Sequence, residues 1–274
     1  MNTGIKISVA VLAVVLLLLI AFLGYRFVCR GLLRKDEGPV LKIPKDQNAT
    51  NIIFLHHSTG RNIWMGGVED RFKEYNREHG TNYNIVEQSF PKRSEYGWRN
   101  YPYDYWNIWV NNSGHGPYKA EPTLEMITEH YDVVVFKHCF PVSNILPDTG
   151  NPDMSSDEKR MENYILQYNA LKEKMYQFPD TRFIVWTGAA LEKDSTEEDK
   201  AVRARSFFDW VRNEWNEEGD NIFIWDFYEL ETEGGLYLKT EYAEGPGNSH
   251  PNMEFSKRVA PLLCNSVIDA IEKG

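Results

Sequence analysis

A serine directly after an apolar run and a histidine near the other end of the chain are the residues best suited to chemistry. Ser58 follows the apolar residues 51–55, and His250 lies in the segment 248–252. A serine hydroxyl is a weak nucleophile by itself, and an adjacent histidine that removes its proton makes it reactive. The pair predicts covalent acyl transfer, with Ser58 as the nucleophile and His250 as the base.

The predicted elements that must position these residues alternate between strands and helices, which is typical of a parallel α/β sheet. The predicted strands cover 51–55, 83–88, 131–137, 182–186 and 221–226, and the predicted helices cover 68–79, 156–177, a segment that opens at 196–199, and 253–271. Ligands of open parallel sheets bind beyond the carboxyl ends of the strands. Ser58 therefore falls at the predicted site.

The connection 90–118 is long and rich in Tyr, Trp, Asn, Gly and Pro. A connection of this length in a single domain is usually functional or poorly ordered, and its aromatic residues argue against disorder. We expect it to form a wall of the substrate site.

An apolar run from Ile7 to Leu23 follows Lys6 and precedes several basic residues. Its length is close to the ~20 residues that a membrane-spanning helix needs. We expect a membrane anchor with its basic flank in residues 1–35, a tether in 36–50 and one domain in 51–274. The positive-inside tendency alone favours a cytoplasmic domain. Enzymes with this layout often face outward, so we expect an extracytoplasmic domain, and the orientation stays open.

Composition excludes several classes of protein. With 42% hydrophobic and 26% charged residues, the chain is globular, and its net charge of -10 gives no basic surface for nucleic acid. His56 and His57 are adjacent in a strand and point to opposite faces, so we expect no metal site and no cofactor. Cys139 and Cys264 are either paired or two buried thiols, and the oligomeric state is open.

The order of several short motifs resembles that of a known superfamily. Ser58 at a strand end, Gly97, a polar cluster that ends in Asn144, and His250 before Pro251 are similar to the SGNH/GDSL hydrolases. The resemblance is to a divergent branch in which His-His-Ser-x-Gly replaces the usual Gly-Asp-Ser block. It spans residues 51–271.

The resemblance implies a flavodoxin-like three-layer α/β/α sandwich with a five-stranded parallel sheet. It also implies a metal-free ester hydrolase that acts on a small acyl ester or an acetylated glycan. The backbone N–H groups of Ser58 and Gly97 and the side chain of Asn144 would hold the oxyanion.

The chain departs from the superfamily at the acid of the triad. The position three residues before His250 is Gly247, which has no carboxylate. Glu244, Asp226, Asn248 or a backbone carbonyl remains open as the group that orients the histidine. Two alternatives to a hydrolase also remain, namely an inactive carbohydrate-binding module and an O-acetyltransferase that uses the same site.

Overall fold

The computed structural model describes residues 39–97 and 99–273. The expected anchor in residues 1–35 lies outside the described residues, as does Trp98. Among the residues that are described, no helix has the length and apolar character needed to cross a membrane.

Five parallel strands form the central sheet and confirm the predicted α/β class. They are β1 (Thr50–His56), β2 (Tyr83–Ser89), β3 (Val133–Lys137), β4 (Arg182–Trp186) and β5 (Ile222–Trp225). Their order in the sheet is β2-β1-β3-β4-β5, which is the flavodoxin-like order. Strand order reverses at β1 and β3, so the crevice for a ligand is expected where these two strands end.

Helices connect the strands and flank the sheet. In chain order they are α1 (Thr59–Met65), α2 (Val68–His79), α3 (Pro102–Trp106), α4 (Leu124–Thr128), α5 (Met161–Met175), α6 (Glu198–Trp210), α7 (Phe227–Thr232) and α8 (Met253–Lys273). The predicted helix at 68–79 is confirmed, and it ends at Gly80 in the left-handed conformation. Pro261 lies inside α8 and does not interrupt it.

Strand β3 lies at the centre of the core, and all five of its residues are buried. On one face of the sheet, the ring of Phe54 stacks on Trp186 with centroids 5.4 Å apart. On the other face, Phe136 packs against Tyr105 and Trp109. Burial on both faces explains why this strand is the most β-branched stretch of the chain.

The described part of the expected tether packs against the domain. Leu41 and Ala49 are buried. The Lys42 N–H donates to the Gln88 side chain at 2.9 Å, and the Tyr131 hydroxyl donates to the Lys42 carbonyl at 2.5 Å. Residues 40–49 are therefore part of the folded unit rather than a loose linker.

Most of the described rings of the aromatic connection 90–118 are buried, and two residues of the segment, Arg99 and Tyr101, line a surface depression. Tyr101, Tyr105, Trp106 and Trp109 are buried in the hydrophobic core. The segment folds into α3 and a π-helical turn, Asn107–Asn111, because its rings pack on one face of the sheet. Most of the described rings in this segment therefore belong to the core.

Cys139 and Cys264 are both buried free thiols. Of the two alternatives left open by the sequence, the structure has the unpaired one.

Candidate active site

Ser58 lies in the sharp turn between β1 and α1. Its backbone has φ 43° and ψ -99°, a positive φ that is uncommon for a residue with a side chain. The Ser58 carbonyl accepts from the Asn62 N–H at 3.2 Å, which joins the turn to the first turn of α1. This conformation places the serine at the carboxyl edge of the sheet, beside the point where strand order reverses.

Gly60 allows α1 to approach the sheet this closely. A Cβ atom at this position would lie 2.5 Å from the His56 Cβ and 3.0 Å from the Lys137 Cδ. Real Cβ atoms do not approach neighbours at the shorter distance, so any larger residue would push the helix away. These close contacts explain why a glycine stands two residues after Ser58.

His250 is held by a short hairpin that the sequence did not reveal. Strands β6 (Ala243–Gly245) and β7 (Asn248–Pro251) pair antiparallel directly before α8. The Asn62 side chain on α1 donates to the Pro251 carbonyl at 2.7 Å, and the Ser249 hydroxyl accepts from the Glu192 N–H at 3.0 Å. These contacts tie the hairpin to the helix that carries the serine turn and to the loop after β4.

The structure brings Ser58 and His250 together. The Ser58 hydroxyl and the His250 Nε2 form a hydrogen bond across 192 positions of sequence. His250 Nδ1 lies 2.6 Å from the Asn248 side-chain oxygen. Of the candidates for an orienting group, Asn248 is the one that contacts the imidazole.

Glu244 lies behind Asn248 and fixes the direction of its amide. The Asn248 Nδ2 donates to one carboxylate oxygen of Glu244 at 2.8 Å, and the Asn62 Nδ2 donates to the other at 2.8 Å. Because a carboxylate accepts and does not donate, the amide nitrogen of Asn248 must face Glu244 and its oxygen must face His250.

This amide orientation determines the tautomer of the histidine. An amide oxygen only accepts hydrogen bonds, so His250 Nδ1 must carry the hydrogen that it donates to Asn248. In the neutral ring, Nε2 then has a free lone pair and accepts the hydrogen of the Ser58 hydroxyl. The arrangement is that of a general base with its nucleophile.

Burial favours the neutral form of His250. Desolvation of the half-buried ring lowers the pKa of His250 below its usual value of 6.5, Glu244 opposes this shift, and Lys137 adds to it. A base must be unprotonated to act, so this environment suits the role.

His56 and His57 have different partners, and His56 is the last residue of β1 while His57 follows it. His56 Nε2 donates to Glu87 at 2.9 Å, and His57 Nε2 lies 2.5 Å from the Pro91 carbonyl. Burial lowers the pKa of His57 to about 4. Across residues 39–97 and 99–273, no three His, Cys, Asp or Glu side chains cluster closely enough to hold a metal ion.

Gly97 and Asn144, the predicted oxyanion groups, both lie at exposed positions. The Gly97 N–H donates to the Arg93 carbonyl at 3.0 Å in an exposed turn. Asn144 is exposed and lines two surface depressions. Neither residue has a hydrogen bond to Ser58 or His250 within the described part of the chain.

Asp226, another candidate from the sequence, caps helix α7. Its carboxylate accepts from the Glu229 N–H at the start of α7 and from Thr187 at 2.7 Å, and it pairs with Arg212 at 2.8 Å. These contacts leave Asp226 among the residues that hold α7 rather than beside the imidazole.

Sequence reasoning missed Asn62 at the site, and it gave no role to Phe140, although it placed the segment 137–144 there. Asn62 holds both Glu244 and Pro251, and the Phe140 ring lies edge-on to His250 with centroids 5.1 Å apart. No motif marks either residue, since both act through tertiary contacts. The Gly245-Pro246-Gly247 turn was the one available signal for the hairpin.

Comparisons with known proteins give a fold relationship. No family model and no curated protein matches the chain. Among solved structures, the acetyl xylan esterase AlAXEase is similar with a TM-score of 0.50 and 15% identity, over 79% of this chain and 99% of that one. A carbohydrate esterase family 2 enzyme with its carbohydrate-binding domain, from Corynascus thermopiles (Myceliophthora fergusii), has a TM-score of 0.43 and 10% identity. That match covers 84% of this chain and 68% of that one. The chain therefore shares its fold with the acetyl xylan esterase.

Proposed function

We propose that this protein is a serine esterase of the SGNH type that removes a small acyl group, most simply acetyl, from a carbohydrate. The observation that carries the proposal is the hydrogen bond between the Ser58 hydroxyl and His250 Nε2, with the tautomer of His250 set by Asn248 and Glu244. The shared fold with an acetyl xylan esterase supports the reaction class and the choice of a sugar ester.

In the acylation half of the proposed reaction, His250 Nε2 takes the proton of the Ser58 hydroxyl. The serine oxygen attacks the ester carbonyl carbon and forms a tetrahedral intermediate. His250 then gives the proton to the oxygen of the leaving alcohol, the carbon–oxygen bond breaks, and the acyl group remains on Ser58. The backbone N–H of Ser58 is proposed as one donor to the oxyanion.

In the deacylation half, water takes the place of the alcohol. His250 Nε2 accepts a proton from water, the hydroxide attacks the acyl-enzyme, and the proton returns to the Ser58 oxygen as the carboxylic acid leaves. Asn248 holds the ring throughout, because its oxygen accepts the Nδ1 hydrogen in the neutral ring and in the imidazolium. A neutral amide stabilises the imidazolium less than a carboxylate does, so Asn248 is proposed chiefly as an orienting group.

We also propose that residues 7–23 anchor the enzyme in a membrane, with the domain on the extracytoplasmic side. The apolar length of this run and its basic flank support the anchor. In that location the enzyme would act on glycans of the cell surface or its surroundings.

Turnover of 4-nitrophenyl acetate by the full-length protein in detergent tests the reaction class. We expect activity that Ser58→Ala and His250→Ala both reduce at least about 100-fold, since a positioned general base contributes roughly 10²–10⁴. Ser206→Ala, on the exposed side of α6, is the matched control and keeps full activity. Equal activity in all four proteins would show that the ester is hydrolysed elsewhere.

A further inference from the structure

A residue that packs against the proposed base also lines a groove. Phe140 lies edge-on to His250, with an angle of 83° between the ring planes, and it also lines a groove of about 620 Å³. Leu191 and Thr196, from the loop after β4, also line this groove. This volume lies within the roughly 300–1,000 Å³ that is typical of small-molecule sites.

The chemistry of ester cleavage decides which half of a substrate meets this groove. His250 must give its proton to the leaving alcohol oxygen, so the alcohol half of the ester lies on the side of the imidazole. Because Phe140 packs against that ring, the alcohol half extends into the groove. A methyl or ethyl alcohol would occupy only a small part of it.

The lining combines apolar surface with hydrogen-bonding groups. Phe140, Pro141 and Leu191 give an apolar surface. The hydrogen-bonding groups include the amide of Asn144, the hydroxyl of Thr196, the ammonium groups of Lys159 and Lys200, and the carboxylates of Asp194 and Glu197. A sugar presents the same combination, because its C–H faces pack on apolar side chains and its hydroxyls need donors and acceptors. The Lys159 ammonium lies 5.4 Å from the centre of the Tyr101 ring, and among the described residues it forms no salt bridge with a carboxylate.

A second depression adjoins the first groove. It has a volume of about 360 Å³ and shares Pro141, Asn144 and Lys159 with the first groove. Two adjoining depressions extend further than a single sugar ring requires. Their arrangement fits consecutive units of one chain.

We infer that these two depressions bind successive sugars on the alcohol side of the ester, so that the substrate is an acetylated oligosaccharide or polysaccharide. The inference rests on the proposed esterase function. It assigns Asn144 to glycan binding, as the residue at the junction of the two depressions, instead of to the oxyanion.

The test compares chain lengths in the full-length protein in detergent. The probes are acetylated monosaccharides and tetrasaccharides of xylose, mannose and N-acetylglucosamine. Asn144→Trp fills the junction with an indole, and Asn151→Trp, at an exposed position outside both depressions, is the matched control. Two quantities are measured, kcat/KM for each probe and, in a Ser58→Ala background, the Kd of each tetrasaccharide.

We expect the parent to prefer at least one tetrasaccharide over its monosaccharide by about tenfold in kcat/KM. Asn144→Trp should remove this preference and weaken tetrasaccharide binding by about tenfold. The Asn151→Trp control should retain both.

The other outcomes separate this inference from the proposed function. Turnover that depends on Ser58 but shows no preference for length, or a preference that survives Asn144→Trp, would overturn the glycan site and leave the esterase intact. Binding that Asn144→Trp abolishes in a protein without turnover of any ester would support the glycan site and remove the esterase. Absence of tetrasaccharide binding for all three sugars would overturn the site.

Discussion

At the scale of single residues, the orienting group is the most unusual feature of the site. Asn248 stands where a carboxylate is common, and Glu244 is one hydrogen bond further from the imidazole. The carboxylate acts on His250 through the amide, because it fixes which end of Asn248 faces the ring. Because Asn248 lies between Glu244 and His250, the carboxylate fixes the tautomer of the imidazole without contacting the ring.

Two substitutions of Asn248 test this interpretation. Asn248→Leu removes the acceptor, and we expect kcat/KM to fall about 10- to 100-fold, within the contribution of a general base. Asn248→Asp adds a negative charge beside the ring, which favours the imidazolium and raises the pKa of His250.

The pH dependence of kcat/KM distinguishes the two variants. In the parent, we expect the activity to rise with pH through the His250 pKa, and this acid limb should lie below pH 6.5 because burial lowers that pKa. Asn248→Asp should move the limb to higher pH, whereas Asn248→Leu should lower the rate without such a move. An unchanged limb in Asn248→Asp would mean that the side chain at 248 does not act on the base.

At the scale of elements, the turn from β1 into α1 determines the position of Ser58, the proposed nucleophile. The sequence predicted the strand and the position of Ser58, because apolar residues 51–55 give a clear strand signal. It did not predict the hairpin of β6 and β7, since two strands of three and four residues carry no periodic pattern. The choice among Glu244, Asp226 and Asn248 depended on that hairpin and therefore required the structure.

Gly60→Ala tests the close approach of α1 to the sheet. The new Cβ would overlap the His56 side chain, and relieving this contact should cost about 1–3 kcal/mol of unfolding free energy. Because the serine turn moves with the helix, kcat/KM should fall as well. Urea unfolding measures the first effect and ester turnover the second.

Gly116→Ala is the control for Gly60→Ala. No atom lies within 4 Å of a Cβ built at Gly116, and its φ is not positive. Its unfolding free energy should change by less than about 0.5 kcal/mol. A loss for Gly60→Ala no larger than that of the control would contradict the packing argument.

At the scale of the whole molecule, the chain buries several histidines that stay neutral. Burial lowers the pKa of His57 to about 4 and that of His138 to about 3. The sequence could not reveal this, because the burial of His138 arises from packing against Tyr105 and Tyr168. Composition alone had predicted a single globular domain with an extensive core.

These histidines make stability depend on pH. Below about pH 6.5 the unfolded chain binds protons at these sites while the folded chain does not, until the pH reaches about 4 for His57 and 3 for His138. As the pH falls, each histidine should therefore lower the unfolding free energy by about 1.4 kcal/mol per pH unit. This effect is confined to the pH range between the unfolded and the folded pKa of that histidine. Urea unfolding between pH 7.5 and pH 5 measures the slope.

His138→Phe removes one of these sites and should reduce the slope, whatever its effect on stability at pH 7.5. The exposed His115, replaced in His115→Gln, is the control and should leave most of the slope in place. A slope that is identical in the parent and in His138→Phe would show that His138 does not contribute to it.

Covalent labelling tests whether Ser58 carries the acyl group. The full-length protein is treated with a fluorophosphonate, which reacts with activated serines, and the labelled residue is identified by peptide mass spectrometry. We expect one label on Ser58, absent in Ser58→Ala and strongly slowed in His250→Ala, because the histidine activates the hydroxyl. A label on another residue, or labelling of Ser58 at the same rate without His250, would contradict it.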